Sequence, residues 1–173
     1  MGLREVKKEL DKLDKKEIID IISDLYKKNK AAKEYFDFFA QPDENKLFKD
    51  YRDKVFYSFY PKRGFNYSLK NGKKAISDFK KLGPSDELVA ELMLFYVETG
   101  VDFTNDFGDI DDAFYTSLAK TFDSALGLLY DTGSLEKYHD KVKNMIDKTG
   151  EIGWGFDDYI RQTYYNYFSD MID

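Results

Sequence analysis

Cysteine is absent from this 173-residue chain, histidine and tryptophan occur once each, and proline occurs three times. Without cysteine there is neither a disulfide framework nor a thiolate metal site, and the composition fits a reducing compartment. A single histidine, His139, removes the H-x-x-x-H pattern of a helical zinc site and leaves a general base without a recognisable partner, so it reads as a surface residue. No apolar run reaches the ~18 residues that a spanning helix needs. The opening segment MGLREVKKELDKLDKKEIID is charged every few positions, unlike the apolar core of a secretory signal. Gly2 follows Met1, but Val6 stands where a myristoylation pattern requires Ser or Thr. These absences place the protein in the cytoplasm, away from membranes. Walker A, dinucleotide and nucleophile-elbow fingerprints are missing as well.

What the chain does have is rings and an uneven charge. Fifteen Phe and fourteen Tyr supply most of a 17% aromatic content, an efficient core for a small domain with Tyr at its rim. Residues 1–83 hold 21 Lys+Arg against 14 Asp+Glu, and residues 84–173 hold 6 against 19, so a net +7 half precedes a net −13 half. Two electrostatically different surfaces follow, and they bear on partners more than any short motif does.

Apolar spacing predicts helices throughout. Leu3, Val6, Leu10 and Leu13 mark the first. Asp14, three before Glu17, opens a second with Ile18, Ile19, Ile22, Leu25 and Tyr26 on one face. A third, at about 30–40, turns Tyr35, Phe36 and Phe39 inward, and a fourth, at about 43–60, carries Leu47, Phe48, Tyr51, Val55 and Phe59. PKRGFNYSLKNG (61–72) reads as the longest loop, punctuated by Pro61, Gly64 and Asn71-Gly72. A short helix at about 73–82 follows. Ser85 then caps a helix whose Leu88, Val89 and Leu92 to Val97 are apolar nearly all round, which predicts a central, buried element. Residues 102–112 read as an acidic turn, with Asp109 or Asp111 capping a helix over about 110–131. Further helices span about 135–149 and the segment from Phe156 onward. No period-two alternation appears. The expected fold is all-α: one domain over 1–173, eight or nine antiparallel helices in a compact bundle or short solenoid-like array.

KAISDFKKLG (74–83), LMLFYVETGVDFTNDFGDI (92–110), AFYTSL (113–118) and TGEIGWGF (149–156) together resemble an uncharacterised bacterial family of small all-helical proteins, a domain of unknown function, over nearly the whole chain. The resemblance implies a helical fold and brings no activity with it.

Four features invite a functional reading. Lys62, Arg63, Lys70, Lys73 and Lys74 fall within 61–74 with no acid among them and with Phe65 and Tyr67 between, the ingredients of single-stranded nucleic-acid or polyanion binding. The plain alternative is a solvated loop. The acidic turn offers Asp102, Asn105, Asp106, Asp109, Asp111 and Asp112, but in no register that matches a calcium loop, so capping is the expected role and no metal is assigned. Ser77/Lys80 and Lys148-Thr149-Gly150 imitate the S-x-x-K and K-T-G elements of penicillin-binding enzymes. S-x-x-K also matches at Ser117 and Ser134, and the middle element is lacking. Trp154, between Gly153 and Gly155, is read as a core anchor, with a pocket wall at a helix entrance as the alternative. Glu91 and Glu98 share a face of the central helix and are the only carboxylates that suggest catalysis. The expected function is therefore a non-catalytic protein-interaction or scaffold module without cofactor, binding an unidentified protein partner. The alternative is a nucleic-acid or polyanion binder using the basic 61–81 segment, where Lys80 and Lys81 extend the cationic set and Asp78 is the one acid.

Overall fold

The computed structural model describes residues 2–64 and 66–169, so Phe65 of the basic loop lies outside the described residues. The described residues are helical without a strand, and the chain forms two compact units, residues 1–43 and 44–173.

The first unit contains α1 (Leu3–Leu10), α2 (Lys15–Lys28) and α3 (Lys30–Ala40). Its local signals behave as the spacing predicts. The Asp14 carboxylate accepts the Glu17 N–H at 2.8 Å while Glu17 accepts the Asp14 N–H at 2.8 Å. Asn29 then caps α3 by accepting from Ala31 and Ala32. A polar knot ties α2 to α3: the Tyr26 hydroxyl donates to Asp37, and the Lys33 ammonium donates to both Asp37 and Tyr26. Asp37 holds Lys33 well above its usual pKa, and Lys33 holds Asp37 below its own, each by a charge-assisted hydrogen bond. The apolar stripes, by contrast, are not covered. No residue of α1, α2 or α3 is buried. Tyr35 and Phe39, expected inside, are exposed, Phe39 at 73%.

The second unit holds α4 (Glu44–Phe59), α5 (Leu69–Lys81), α6 (Asp86–Phe107), α7 (Asp112–Asp131), a 3₁₀ turn at Glu136–Tyr138 leading into α8 (His139–Ile146), and α9 (Phe156–Phe168). Contacts between sequential neighbours run in opposite directions: Phe79 of α5 meets Phe48 and Tyr51 of α4, and Leu118 of α7 meets Gly100 of α6. The six helices therefore alternate up and down as a bundle. As its all-round apolarity predicts, α6 is central. Val89, Ala90, Leu92, Leu94, Tyr96, Val97 and Val101 are almost wholly buried among α4, α5, α7 and α8. The rings of Phe59, Tyr96, Phe103, Phe107, Phe114 and Tyr67 form one cluster of tilted and edge-to-face pairs where α4, α6 and α7 meet.

Two expected loops are shorter than the sequence suggested. Asn71-Gly72 is no turn. Ser68 caps α5 by accepting the Asn71 N–H, and both residues lie in its first turn. Gly72 serves packing instead: a Cβ there would come within 2.6 Å of the Tyr96 ring and 2.7 Å of the Ser58 hydroxyl oxygen. The acidic stretch is likewise helical to Phe107, because buried Val101, Phe103 and Thr104 prolong the apolar face of α6, and only 108–111 connects. Asp111 caps α7 through the Phe114 N–H at 2.8 Å, as anticipated. Ser85 stands at the start of α6 without a side-chain cap, and its N–H donates to Glu44 at 2.7 Å instead.

Gly72→Ala is expected to destabilise the protein by about 1–3 kcal/mol through overpacking against Tyr96, despite alanine's better helix propensity. Gly150→Ala, where an added Cβ meets nothing within 4 Å, should change little. Urea unfolding of the two variants beside the parent checks the pair.

Candidate binding surfaces

Four surfaces of the second unit carry the candidate residues. The first is the outward side of α5. At about 100° per residue, Lys70, Lys73, Lys74, Lys80 and Lys81 fall within an arc of about 120°. Gly72, Ala75, Ile76 and Phe79 occupy the buried side opposite. Lys62 and Arg63 are exposed just before the helix, with the Lys62 ammonium 4.3 Å from the centre of the Tyr57 ring. Asp78 pairs with Lys74 and, at 3.3 Å, with Lys81, which holds its carboxyl below the usual range. Among the described residues, none of Lys62, Arg63, Lys70, Lys73 and Lys74 meets a carboxylate of 84–173. The basic segment is not neutralised by the acidic half.

Lys73 differs from the others. Its ammonium donates to the Thr121 hydroxyl of α7 at 2.8 Å, and Thr121 passes its own proton to the Ser117 carbonyl. Burial and the nearby Lys120 charge both push its pKa down. Lys73 is thus anchored on α7 at the residue that follows Lys120.

The second surface is the stripe of acids on α6, and it is spoken for. Lys137 pairs with Glu87, Lys141 with Glu91 at 3.3 Å, and Lys148 with Glu98 at 3.6 Å, a constant offset of 50 residues that sets α8 parallel to α6. Lys148 also reaches Asp102 at 3.0 Å, and the Tyr138 hydroxyl donates to both Glu87 and Glu91. Glu91 and Glu98, the carboxylates that suggested catalysis, are satisfied by Lys141 of α8 and by Lys148 just after it. The imitation of a penicillin-binding site dissolves in the same way: Lys148 bridges Glu98 and Asp102, while Ser77 sits on the exposed side of α5.

The third is an open groove between α4 and α6 lined by Arg52, Phe56, Tyr60, Glu98, Asp102 and Asp106, among others. Its polar groups also have partners. Tyr60 donates to Asp106 at 2.7 Å, and the Arg52 guanidinium lies 4.2 Å above the Phe95 ring. No metal-ligating group of three or more His, Asp or Glu occurs among the described residues.

The fourth surface overturns the reading of Trp154 as a core anchor. Its indole is 60% exposed and walls a cleft of about 210 Å³ with Asp112, Tyr115, Thr116, Lys120 and Tyr159. The cause is local. Asp109 accepts from the Tyr115 hydroxyl at 2.8 Å and from the Gly153 N–H at 3.3 Å, and a Cβ on Gly153 would lie 2.6 Å from that carboxylate. Drawing the chain so close to Asp109 leaves Trp154 in the left-handed region at φ +59°, a costly conformation for a bulky residue, with its ring facing outward. Asp112 was read only as part of the acidic turn, and Lys120 was not read as a binding residue. Their signal is a spacing of eight, two turns of α7 on one face. His139, expected at the surface, is half-buried, with Nε2 2.7 Å from the Tyr164 hydroxyl and its ring against Phe168.

The chain belongs to a family of unknown function, DUF6155, whose model matches residues 1–168. No curated protein and no solved structure matches it.

The α6–α8 ladder has a pH signature. Hydrogen bonds from Lys137 and Ser134 hold the Glu87 carboxyl below its ordinary value. A carboxyl depressed in the folded state stabilises the protein above its unfolded pKa, and this stabilisation is lost as pH falls through the folded value. Unfolding midpoints followed downward from about pH 5 should drop, and Glu87→Gln should flatten that drop while lowering stability at neutral pH. Parallel parent and variant curves would refute the ladder's contribution.

Proposed function

We propose that this protein is a non-catalytic interaction module, acting in the cytoplasm, that engages a protein partner through the apolar faces of α1, α2 and α3. The observation that carries this reading is the absence of any buried residue in three helices that each present an apolar stripe. Leu3, Val6, Ile19, Ile21, Ile22 and Leu25 are all more than a third exposed. Helices of 8 to 14 residues are marginal on their own in water, and their stability ordinarily comes from packing an amphipathic face. A partner supplies that packing. The cytoplasmic placement rests on a cysteine-free chain in which no described helix is long and apolar enough to cross a membrane.

One further observation favours a second reading. The uncovered lysine face of α5, with Lys62 and Arg63 beside it, suits a polyanion such as a single-stranded nucleic acid.

The two readings separate by mutation. Ile22→Asp with Leu25→Asp should abolish protein associations that persist in moderate salt, as read by cross-linking and size-exclusion chromatography, and leave the unfolding of the second unit unchanged. Equal association by parent and variant would sink the first reading. Lys70→Glu with Lys81→Glu should weaken binding of a labelled oligonucleotide by about tenfold or more and reduce its salt dependence. Unchanged anisotropy titrations would sink the second.

A further inference from the structure

The cleft beside Trp154 joins features that α7 and α9 have no structural need to bring together. Its wall exposes two large rings, Trp154 at 60% and Tyr159 at 45%, although burying them would be worth more to the fold. Trp154 is held there in a left-handed conformation by the approach of Gly153 to Asp109. Along the α7 side, Asp112 stands at one end and Lys120 at the other. They are eight residues apart on one helix face, a separation of about 12 Å, about the length of a mononucleotide. Neither makes an ion pair among the described residues. Lys73 of α5 is bonded to Thr121, the residue after Lys120, so the lysine face of α5 lies next to the Lys120 end of the cleft.

We propose that this cleft binds a nucleoside phosphate, with the base against Trp154 and Tyr159, the base's N–H donors toward Asp112, and the phosphate toward Lys120. Each part of the ligand meets its complement: rings stack on a π-face, N–H groups meet an acceptor-only carboxylate, and phosphate oxygens meet ammonium donors. The acid at one end makes a bare polyanion a poorer fit than a ligand with a donor-bearing base. The inference deepens the second reading above and rests on it to the extent that a strand continues along the α5 face. The nucleoside phosphate is either free or one residue of a strand that continues along α5.

Trp154 is the only tryptophan of the chain, so fluorescence excited beyond the tyrosine absorption band reports on the cleft alone. GMP, whose base presents adjacent N–H donors, is the first probe for the full-length protein. It should quench Trp154 saturably, guanosine should bind at least about tenfold more weakly, and inorganic phosphate alone should not quench. Lys120→Gln should remove the preference for GMP over guanosine, and Asp112→Asn should weaken both. A short single-stranded oligonucleotide is the second probe, read by Trp154 quenching and by anisotropy in the parent and in Lys70→Glu/Lys81→Glu. If the parent is quenched by the oligonucleotide and the α5 variant responds to GMP alone, the ligand is a residue of a strand. If both respond to GMP and neither binds the oligonucleotide, it is a free nucleotide and the α5 reading fails alone. Oligonucleotide binding with no quenching by either probe overturns the cleft and spares the α5 face. Absence of saturable quenching by either probe, or a Lys120→Gln variant that still prefers GMP over guanosine as the parent does, overturns the proposal.

Discussion

The architecture of residues 44–169 depends on how closely other helices can approach α6. An apolar helix with almost no polar side must be enclosed, and enclosure requires small residues where backbones meet. Gly72 lets α5 lie against the Tyr96 ring, and Gly100 of α6 receives the Leu118 side chain of α7. Tyr96, buried so deeply that its hydroxyl is pushed up to about 12, still finds Ser117 at 3.0 Å. Among the described residues no buried side-chain nitrogen or oxygen lacks a partner, so the enclosure carries no unsatisfied polar group.

The same enclosure decides where charge is free. On α6 the acids Glu87, Glu91, Glu98 and Asp102 are consumed by Lys137, Lys141 and Lys148 of the acidic half itself. The −13 half is therefore cross-braced from within and does not draw on the lysines of 61–81. Those lysines face away from the core because Ala75, Ile76 and Phe79 face toward it, and an amphipathic helix has only one other side to offer. The cationic surface is therefore not neutralised by the acidic half and stays available to other molecules.

Helix placement was legible wherever apolar periodicity was strong, as in α4, α6 and α7, and so were the Asp14–Glu17 box and the Asp111 cap, because these depend on residues a few positions apart. The two misread loops share a cause. Asn71-Gly72 and the acids of 102–107 carry turn-like composition, but burial against Tyr96 and the continued apolar face of α6 outweigh local propensity. Trp154 was misread for a related reason: whether a ring goes inward depends on Asp109, more than forty residues away, gripping the Gly153 N–H.

The sequence by itself determined an all-helical chain, its buried central helix, the cationic character of 61–81 and the lack of thiolate chemistry, since composition and short-range spacing suffice for each. Only the tertiary structure decided that Glu91 and Glu98 are paired, that Lys73 reaches Thr121, and that Trp154 faces a cleft. Each of these is a contact between segments far apart in the chain, and such encounters are set by packing around α6, which no local pattern records.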